Sequence, residues 1–387
     1  MIFDLQTLQL IWWALVGVVL ILYATTAGFD FGVTLLMPFL KRKAKFAEND
    51  AERRVILNTI APTWDGNQTW LVFAGGALFV IWPSVYAATF SGMYFLMMMI
   101  LWSFFLRPTG FDYRGKLPSH TWRSTWDWAL FLSALLPVFS FGLIIGNLFI
   151  GLPIAYDPIL MRSFYFGSFF GLFHVFPVVC GLAALAMCLM HGTAHLNRRT
   201  DGSLKIYFQR LNTQFIWIFL LLVTVAGFML TRIPGYVLAG MSAHPLAEPF
   251  NNITLVIPGG WWMVLKTHYW KWIPVVGVYL FALLTLYTQK KNASLSFWMS
   301  ALAVASTVTL FGVGLFPFVL PSSVNPQQSL TLWSASSAQF TLMGMFYFAV
   351  VLLVIIVAYK FWGYHALWGK KATLSTKDVE KQDHTFY

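Results

Sequence analysis

The chain has 387 residues, of which 58% are hydrophobic and only 10% are charged, and its mean hydropathy is +0.69. A soluble domain carries about 25% charged residues, so this composition excludes an ordinary water-soluble fold and favours a membrane protein. The net charge of +11 comes from Lys and Arg residues scattered between apolar runs. Such scattering is typical of residues that orient a protein in a bilayer, and it forms no basic face for nucleic acid.

Nine apolar stretches approach or exceed the length of about 20 residues that a helix needs to cross a bilayer. In chain order these predicted spans cover residues 9–38, 55–80, 84–106, 126–150, 164–190, 212–231, 272–289, 296–317 and 340–362. The sequence therefore predicts an all-α polytopic membrane protein, with one membrane domain over 1–368 and a short polar tail over 369–387. The start of the chain has an acid and no basic region, so we expect the first helix to be retained.

The basic residues give an independent test of the number of spans. If the spans alternate in direction, 21 of the 25 Lys and Arg residues fall on one side of the membrane and only four on the other. The four are Arg162, Arg232, Lys266 and Lys271. By the positive-inside rule the side with 21 is cytoplasmic, so the N-terminus is predicted to lie outside and the C-terminus in the cytoplasm.

Two acids fall inside the predicted spans, where a charge is costly and therefore suggests a function. Asp30 lies 11 residues before Lys41, and Asp65 lies 11 residues after Arg54. At 1.5 Å per residue, both carboxylates are expected about 16 Å from the basic boundary. Consecutive helices often pack together, so the pair predicts a proton relay or a cation site. The alternative is two acids satisfied by hydrogen bonds of helix packing. Polar neighbours of Asp65 favour the functional interpretation: Trp64, Asn67 and Gln68.

Arg107 ends the third predicted span, and the sequence allows two interpretations of it. The side chain either extends to the interface or pairs with an acid at the mouth of a proton path, with Asp112 and Arg114 nearby. Asp127, at the start of the fourth predicted span, is interpreted as a first-turn acid favoured by the helix dipole.

Histidine and methionine residues are the candidates for haem or metal ligation. His174 is predicted to lie within the fifth span, where a hydrogen bond to a neighbour is the favoured interpretation. His191 and His195 are four residues apart on one helical face, as a metal pair would be, but no acid is near them in the sequence. We therefore predict no metal ligand in this chain and assign the Met97–Met99 run to packing. Three glycines are predicted to mark close helix contacts: Gly17, Gly75 and Gly76.

Long blocks of distinctive sequence follow one another along nearly the whole chain. They read IWWALVGVVLILYATTAGFDFG, NTIAPTWDGNQTWLVFAGGALF, WPSVYAATFSGMY, FFLRPTGFDYR, TWRSTWDW, GNLFIGLP, LFPFVLPSS and SLTLWSASSAQFTL. In this order they resemble subunit II of the cytochrome bd-type quinol oxidases. The resemblance implies a fold of two four-helix bundles plus one peripheral helix.

The resemblance also implies a partner and a reaction. Subunit II of this family pairs with a subunit I of similar fold, which ligates two haems b and one haem d and carries the quinol-oxidising loop. The complex sits in the bacterial inner membrane, oxidises quinol and reduces dioxygen to water. It builds a membrane potential without pumping. Subunit II itself binds no haem, can hold a structural quinone and supplies part of a proton path from the cytoplasm. Small single-helix subunits and lipid are the further partners that this implies.

Three residues match the family's proton-path positions: Asp30 in AGFDFG, Asp65 in TWDGNQ and Arg107 in FFLRP. The resemblance implies that protons enter near Arg107, pass Asp65 and Asp30, and continue into subunit I. Two departures affect this expectation. Ala27 replaces an acid of the usual TDGFD, and Ser334 replaces an acid of the usual SLTMWDA.

Two other functions are weighed against this one. An ion-coupled secondary transporter would show broken helices and an inverted repeat around a site at mid-membrane, and the sequence shows neither. A purely structural partner subunit would differ only in that substituting Asp30 and Asp65 would leave oxygen reduction unchanged.

Overall fold

The structure is a computed structural model that describes residues 3–40, 46–157, 160, 162–240, 253–368 and 373–376. Within these ranges the chain is mainly helical, which confirms the predicted all-α class. The helices are α1 Leu5–Leu36, α2 Phe46–Asn58, α3 Trp64–Ile81, α4 Pro83–Gly92, α5 Tyr94–Tyr113, α6 His120–Ile150, α7 Val175–Arg199, α8 Gly202–Leu230, α9 Gly260–Thr267, α10 Trp272–Thr288, α11 Ala293–Leu315 and α12 Gln339–Trp368. The short antiparallel pairs are β1 Ile154–Asp157 with β2 Arg162–Tyr165, β3 Pro234–Gly240 with β4 Ile253–Pro258, and β5 Phe318–Leu320 with β6 Leu330–Thr331.

The number of membrane crossings agrees with the prediction of about nine. In the described ranges, eight helices are long and apolar enough to cross a membrane. Helices α3 and α4 meet at an angle of 118°, and counting this bent pair as one span brings the number to nine.

The chain between residues 46 and 113 differs from the two straight helices predicted over 55–80 and 84–106. Helix α2 ends at Asn58 and α3 begins only at Trp64, after a turn that contains Pro62. Helix α3 ends before Pro83, because a proline disfavours helical backbone in the residue before it. That residue, Trp82, has φ −128° and ψ 68°. The bend therefore lies at the C-terminal end of α3, at the junction with α4.

The helices form the two bundles and the peripheral helix that the family resemblance implied. Helices α1, α3, α5 and α6 form the first bundle, and α7, α8, α10 and α11 form the second. Helix α1 also packs against α7 and α11 and so joins the two bundles. Helix α12 packs on the outside, against α1 and α3. We call the end with α2 and the α5–α6 and α7–α8 connections the basic end.

The two bundles pack together through α6 with α7 and through α1 with α7, and glycines allow backbone contact where α1 crosses α7. A Cβ atom on Gly32 would lie 1.8 Å from the carbonyl oxygen of Cys188, and one on Gly192 would lie 2.6 Å from the carbonyl carbon of Gly32. The absence of side chains at both positions thus allows the two backbones to touch. The glycines predicted from the sequence for such contacts make none within the described chain, where no atom of another element lies within 4 Å of a Cβ built at Gly17, Gly75 or Gly76.

Buried ion pairs hold the basic end together. Asp127 accepts hydrogen bonds from Arg53 at 3.1 Å and from Arg114 at 2.6 Å, and Arg114 also reaches Asp50 at 2.7 Å. Arg123 forms an ion pair with Asp50 as well. Burial disfavours the charged form of Arg114, but the carboxylates of Asp127 and Asp50 outweigh it and raise the pKa of Arg114. The predicted first-turn role of Asp127 was wrong, because α6 begins at His120 and Asp127 lies beyond its first turn.

The opposite end is built from the strand pairs and α9. Trp261 of α9 donates a hydrogen bond from its indole to the carbonyl oxygen of Phe149 at 2.9 Å. His174 was predicted to lie within a span, but it is the exposed residue before α7, because that helix begins only at Val175. Ser334 also lies at this end, where its hydroxyl accepts a hydrogen bond from the backbone N–H of Thr331 at 2.9 Å. Part of the predicted polar tail, 369–372 and 377–387, lies outside the described residues.

Candidate functional site

A buried polar cluster lies where α1, α3 and α12 meet, and its centre is Asp30. This carboxyl group is fully buried, and its Oδ2 accepts a hydrogen bond from the Asn67 amide at 2.7 Å. The same amide nitrogen donates to the carbonyl oxygen of Thr26 at 3.1 Å. The Asn67 oxygen accepts a hydrogen bond from the Tyr364 hydroxyl at 2.7 Å. Because Asn67 has two acceptors on one side and a hydroxyl donor on the other, its amide orientation is fixed.

Arg107 of α5 is the cation of this cluster. Its side chain is only 1% exposed, so it does not extend to the interface as one interpretation of the sequence held. The guanidinium lies 4.5 Å from the ring centroid of Phe31 and 5.7 Å from that of Trp64. Its three nitrogens have no hydrogen-bond partner among the residues that the structure describes, and it interacts electrostatically with Asp30. Asp30 Oδ1 likewise has no hydrogen-bond partner in the described chain.

Asp65 lies beside this cluster and not within it. Its side chain is exposed in the first turn of α3, and Lys360 of α12 interacts with it electrostatically. Lys360 also donates a hydrogen bond to the carbonyl oxygen of Gly66. The predicted depth of Asp65, 11 helical residues from Arg54, was wrong because a turn separates α2 from α3. The residue in contact with Asp30 is Asn67, two positions further along.

The other predicted polar residues divide between the cluster and the surface. Trp64 stacks on Phe111 with ring centroids 4.9 Å apart and borders Arg107. Gln68 accepts a hydrogen bond from the Tyr23 hydroxyl at 3.2 Å. Asp112 is exposed at the end of α5 and makes no hydrogen bond with Arg107. The cluster therefore contains Trp64 and Asn67, is bordered by Gln68 and excludes Asp112.

Ala27 stands where the resemblance led us to expect an acid. It is fully buried in an apolar group with Phe31, Trp70 and Cys188. Asp30 is thus the one carboxylate among the described residues of α1 that lies in the interior of the first bundle.

The histidines of α7 are already engaged in hydrogen bonds within the protein. His191 Nδ1 lies 2.7 Å from the Ser300 hydroxyl, and its Nε2 lies 2.9 Å from the carbonyl oxygen of Thr25. His195 Nε2 lies 3.3 Å from the carbonyl oxygen of Thr59. Over the described part of the chain, no group of three His, Cys, Asp or Glu side chains is arranged to hold a metal ion.

Sequence reasoning missed the contribution of α12 to this cluster. Tyr364 lies 297 residues from Asn67, and no local motif links the two. The signal available was the presence of Lys360 and Tyr364 near the end of an otherwise apolar helix. Basic and aromatic residues at the end of a span are ordinarily interpreted as anchors at the membrane interface. Nothing in the sequence therefore indicated that Lys360 and Tyr364 contact α3 instead.

The arrangement suits proton exchange at a single buried carboxyl group. Asn67 occupies one oxygen of Asp30 and leaves the other, Oδ1, for exchange with water or another carrier. In a surrounding of low dielectric constant the neutral form of a carboxyl group is favoured, and a nearby guanidinium favours the charged form. The opposing influences let one group pass between both states, which a proton carrier requires.

The fold and the cluster define a class: a polytopic helical membrane protein with a buried polar cluster around a carboxyl group between its first and last spans. Comparison with known proteins identifies the family. The profile of the cytochrome bd terminal oxidase subunit II family matches residues 8–367. A relative from Escherichia coli, "Cytochrome bd-I ubiquinol oxidase subunit 2", is 40% identical over 99% of this chain and 100% of its own length. "Probable cytochrome oxidase subunit 2" from Haemophilus influenzae is 38% identical over the same shares.

A solved structure agrees with the fold. A chain of the bd oxidase from Geobacillus thermodenitrificans superposes with a TM-score of 0.70 at 13% identity, covering 94% of this chain and 100% of that one. The chain therefore belongs to the cytochrome bd terminal oxidase subunit II family. It is a multi-pass protein of the bacterial inner membrane and the partner of subunit I in an oxidoreductase complex that contains haem.

Proposed function

We propose that this chain carries protons to the haem-bearing subunit I of a quinol-oxidising bd-type oxidase, and that Asp30 is the buried carrier. The single observation that supports this is the fully buried Asp30 carboxyl group, with one oxygen bonded to Asn67 and the other facing no protein donor among the described residues. Ionisable groups inside membrane spans are rare and usually serve ion or proton movement.

The proton is exchanged at Oδ1 of Asp30. An amide side chain neither gains nor loses a proton at neutral pH, so Asn67 positions the carboxyl group and does not relay the proton itself. Arg107 keeps its charge and stabilises the carboxylate when the proton leaves. Water connects Asp30 with the next carrier, since the protein offers Oδ1 no direct partner in the described residues.

Asp65 is the carrier nearer the surface. It lies in the first turn of α3 at the basic end, close enough to Asp30's cluster for Lys360 to interact electrostatically with both acids. We propose that the basic end faces the cytoplasm, so that Asp65 takes protons from there and subunit I covers the exposed side of α3. A carboxylate on the flank of a membrane helix needs such a protein or water contact.

We also propose a place for the structural quinone of the family. A cavity of about 120 Å³ lies between the second bundle, α6 and α9, and is lined by aromatic side chains, among them Trp261, Phe311 and Tyr279. Aromatic and aliphatic walls with few polar groups suit a quinone ring. The cavity is smaller than the roughly 300 Å³ of a small ligand pocket, so the isoprenoid tail would lie outside it. Replacing Gly314, which lines the cavity, by leucine should lower the quinone extracted from the purified complex, whereas leucine at exposed Gly115 should not.

The test of the proton path is Asp30→Asn in the assembled complex. Asparagine keeps the size and an acceptor oxygen for Asn67 but cannot exchange a proton. We expect oxygen consumption with quinol to fall about a hundredfold, the smaller of the effects typical of losing a proton-transfer group, while the haem spectrum is unchanged. Asp65→Asn should lower the rate less, because an exposed position can be supplied by water directly.

The matched control is Asp201→Asn, which removes an exposed carboxylate at the same end of the molecule, next to α8. It should leave the rate unchanged. A full oxygen-reduction rate with unchanged charge generation in Asp30→Asn would remove Asp30 from the path. A full rate with unchanged charge generation in both Asp30→Asn and Asp65→Asn would leave this chain as a structural partner only.

A further inference from the structure

A second feature of the basic end is a groove between the peripheral helix and the second bundle. The groove has a volume of about 380 Å³ and is lined by residues of α1, α7, α11 and α12. Helix α1 forms its floor with Thr25 and Phe29, and α11 and α12 form its walls with Trp298 and Phe361. A water molecule takes up about 30 Å³ of liquid, so the groove is far larger than a site for a single water.

The groove runs from the basic end into the apolar part of the helices. Arg198, at its mouth, is the residue before the last of α7, and His365 lies near the end of α12. Ala301 lies deeper, eight residues into α11, which at 1.5 Å per residue is about 12 Å along the helix axis. The outer rim of the groove is apolar and open, since Trp298 is 59% exposed and Phe361 is 76% exposed.

The mouth of the groove carries the positive charge of Arg198, with no acid beside it among the described residues. Arg198 and His365 line the groove, and no Asp or Glu of the described ranges lines it. Arg198 lies over the ring of Phe297 with its guanidinium carbon 5.4 Å from the centroid. It forms none of the ion pairs found within the described part of the chain. Arg107 also forms no ion pair of this kind, but it is buried. Arg198 is only partly buried, so it can reach a ligand from the membrane.

We propose that this groove binds one anionic phospholipid, with its phosphate against Arg198 and an acyl chain along Trp298 and Ala301. The charge at the boundary and the apolar depth below it match the two parts of such a lipid. Arginine forms two parallel hydrogen bonds with phosphate oxygens, and its stacking on Phe297 holds the guanidinium plane in place for this. A neutral quinone would use the apolar walls but leave the cation unpaired.

The site is tested by lipid retention of the purified two-subunit complex. The complex is stripped of lipid in detergent and titrated with phosphatidylglycerol or phosphatidylcholine, and bound lipid is counted by native mass spectrometry. We expect one phosphatidylglycerol to bind more tightly than phosphatidylcholine. Arg198→Gln should weaken this binding about fivefold, as expected for one arginine near a membrane surface. Arg198→Lys should restore most of it.

Two further variants separate the charge from the shape of the groove. Arg210→Gln removes an exposed arginine of α8 at the same end and should leave binding unchanged. Ala301→Leu narrows the deep part of the groove without touching Arg198 and should also lower phosphatidylglycerol binding. Lipid binding is compared only between complexes whose haem spectrum is unchanged, because that spectrum shows that the complex is intact.

A photo-crosslinking residue in place of Trp298 identifies the occupant directly. A phospholipid adduct supports the proposal, and a polypeptide or quinone adduct overturns it. Equal binding of the two lipids, or equal loss in Arg198→Gln and Arg210→Gln, would overturn it as well. The readout is lipid binding, so the result does not depend on the proposed role of Asp30.

Discussion

Replacing Gly32 by alanine is expected to separate the two bundles. The added Cβ would lie 1.8 Å from the carbonyl oxygen of Cys188 and 2.6 Å from its carbon, both backbone atoms of α7. Contacts below 3.0 Å are essentially never observed for a real Cβ, so α1 and α7 must move apart by more than an ångström. Overpacking a core costs about 1–3 kcal/mol, and a clash between two helix backbones belongs at the upper end of that range.

The matched control lies on the same helix. At Gly17 no atom of the described chain lies within 4 Å of the new Cβ, so alanine there should stabilise α1 by about 0.5–1 kcal/mol through helix propensity. The assay is thermal unfolding of the purified complex, followed by haem absorbance and by size-exclusion chromatography. Gly32→Ala should lower the midpoint by several degrees or prevent assembly. A midpoint equal to that of Gly17→Ala would refute the inferred backbone contact.

Three further predictions concern single side chains. Asn67→Leu removes the donor to buried Asp30, which should cost about 3 kcal/mol and lower the midpoint of thermal unfolding together with the oxygen-reduction rate. Arg114→Met leaves Asp127 short of a partner and should destabilise the complex by about 3–5 kcal/mol, while adding Asp127→Leu should recover part of the loss, as a double-mutant cycle would show. Burial raises the pKa of Tyr236 from 10.0 to about 12, so its contribution to stability is full below pH 10 and is lost as the pH rises to about 12. The unfolding midpoint of Tyr236→Phe should therefore fall less steeply over that pH range than that of the natural chain, and parallel curves would contradict the assignment.

The sequence predicted the class of fold because the relevant signal is local. Apolar length marks a span wherever it occurs, and the described residues contain eight or nine such helices. The interruptions were harder to predict. Pro62 and Pro83 were visible, but a proline can be tolerated in a helix, as Pro108 is in α5 and Pro137 is in α6. Which proline breaks the chain depends on tertiary packing that hydropathy does not report.

The candidate site was predicted only in part for a similar reason. Asp30 and Arg107 were recognised because a charge within an apolar stretch is conspicuous in the sequence alone. The residue that contacts Asp30 could not be predicted. Asn67 faces Asp30 and Asp65 does not, because α3 begins only at Trp64. A shift of two residues on a helix turns a side chain by about 200°, so an error in the start of a helix exchanges the buried face for the exposed one.

The peripheral helix is the least firmly held part of the cluster, and this bears on how the site could be controlled. Helix α12 exposes much of its surface, with Phe340 84% exposed and Phe361 76% exposed. Its docking uses single polar contacts along its length. The Trp12 indole donates to the carbonyl oxygen of Leu342 at 3.0 Å, and the Tyr364 hydroxyl donates to Asn67 at 2.7 Å. Elements with little buried apolar area open at the lowest free-energy cost. A lipid or protein that binds α12 more tightly in its docked position than in an open one therefore favours the state in which Tyr364 reaches Asn67. Because Asn67 in turn holds Asp30, binding outside the cluster stabilises the geometry inside it.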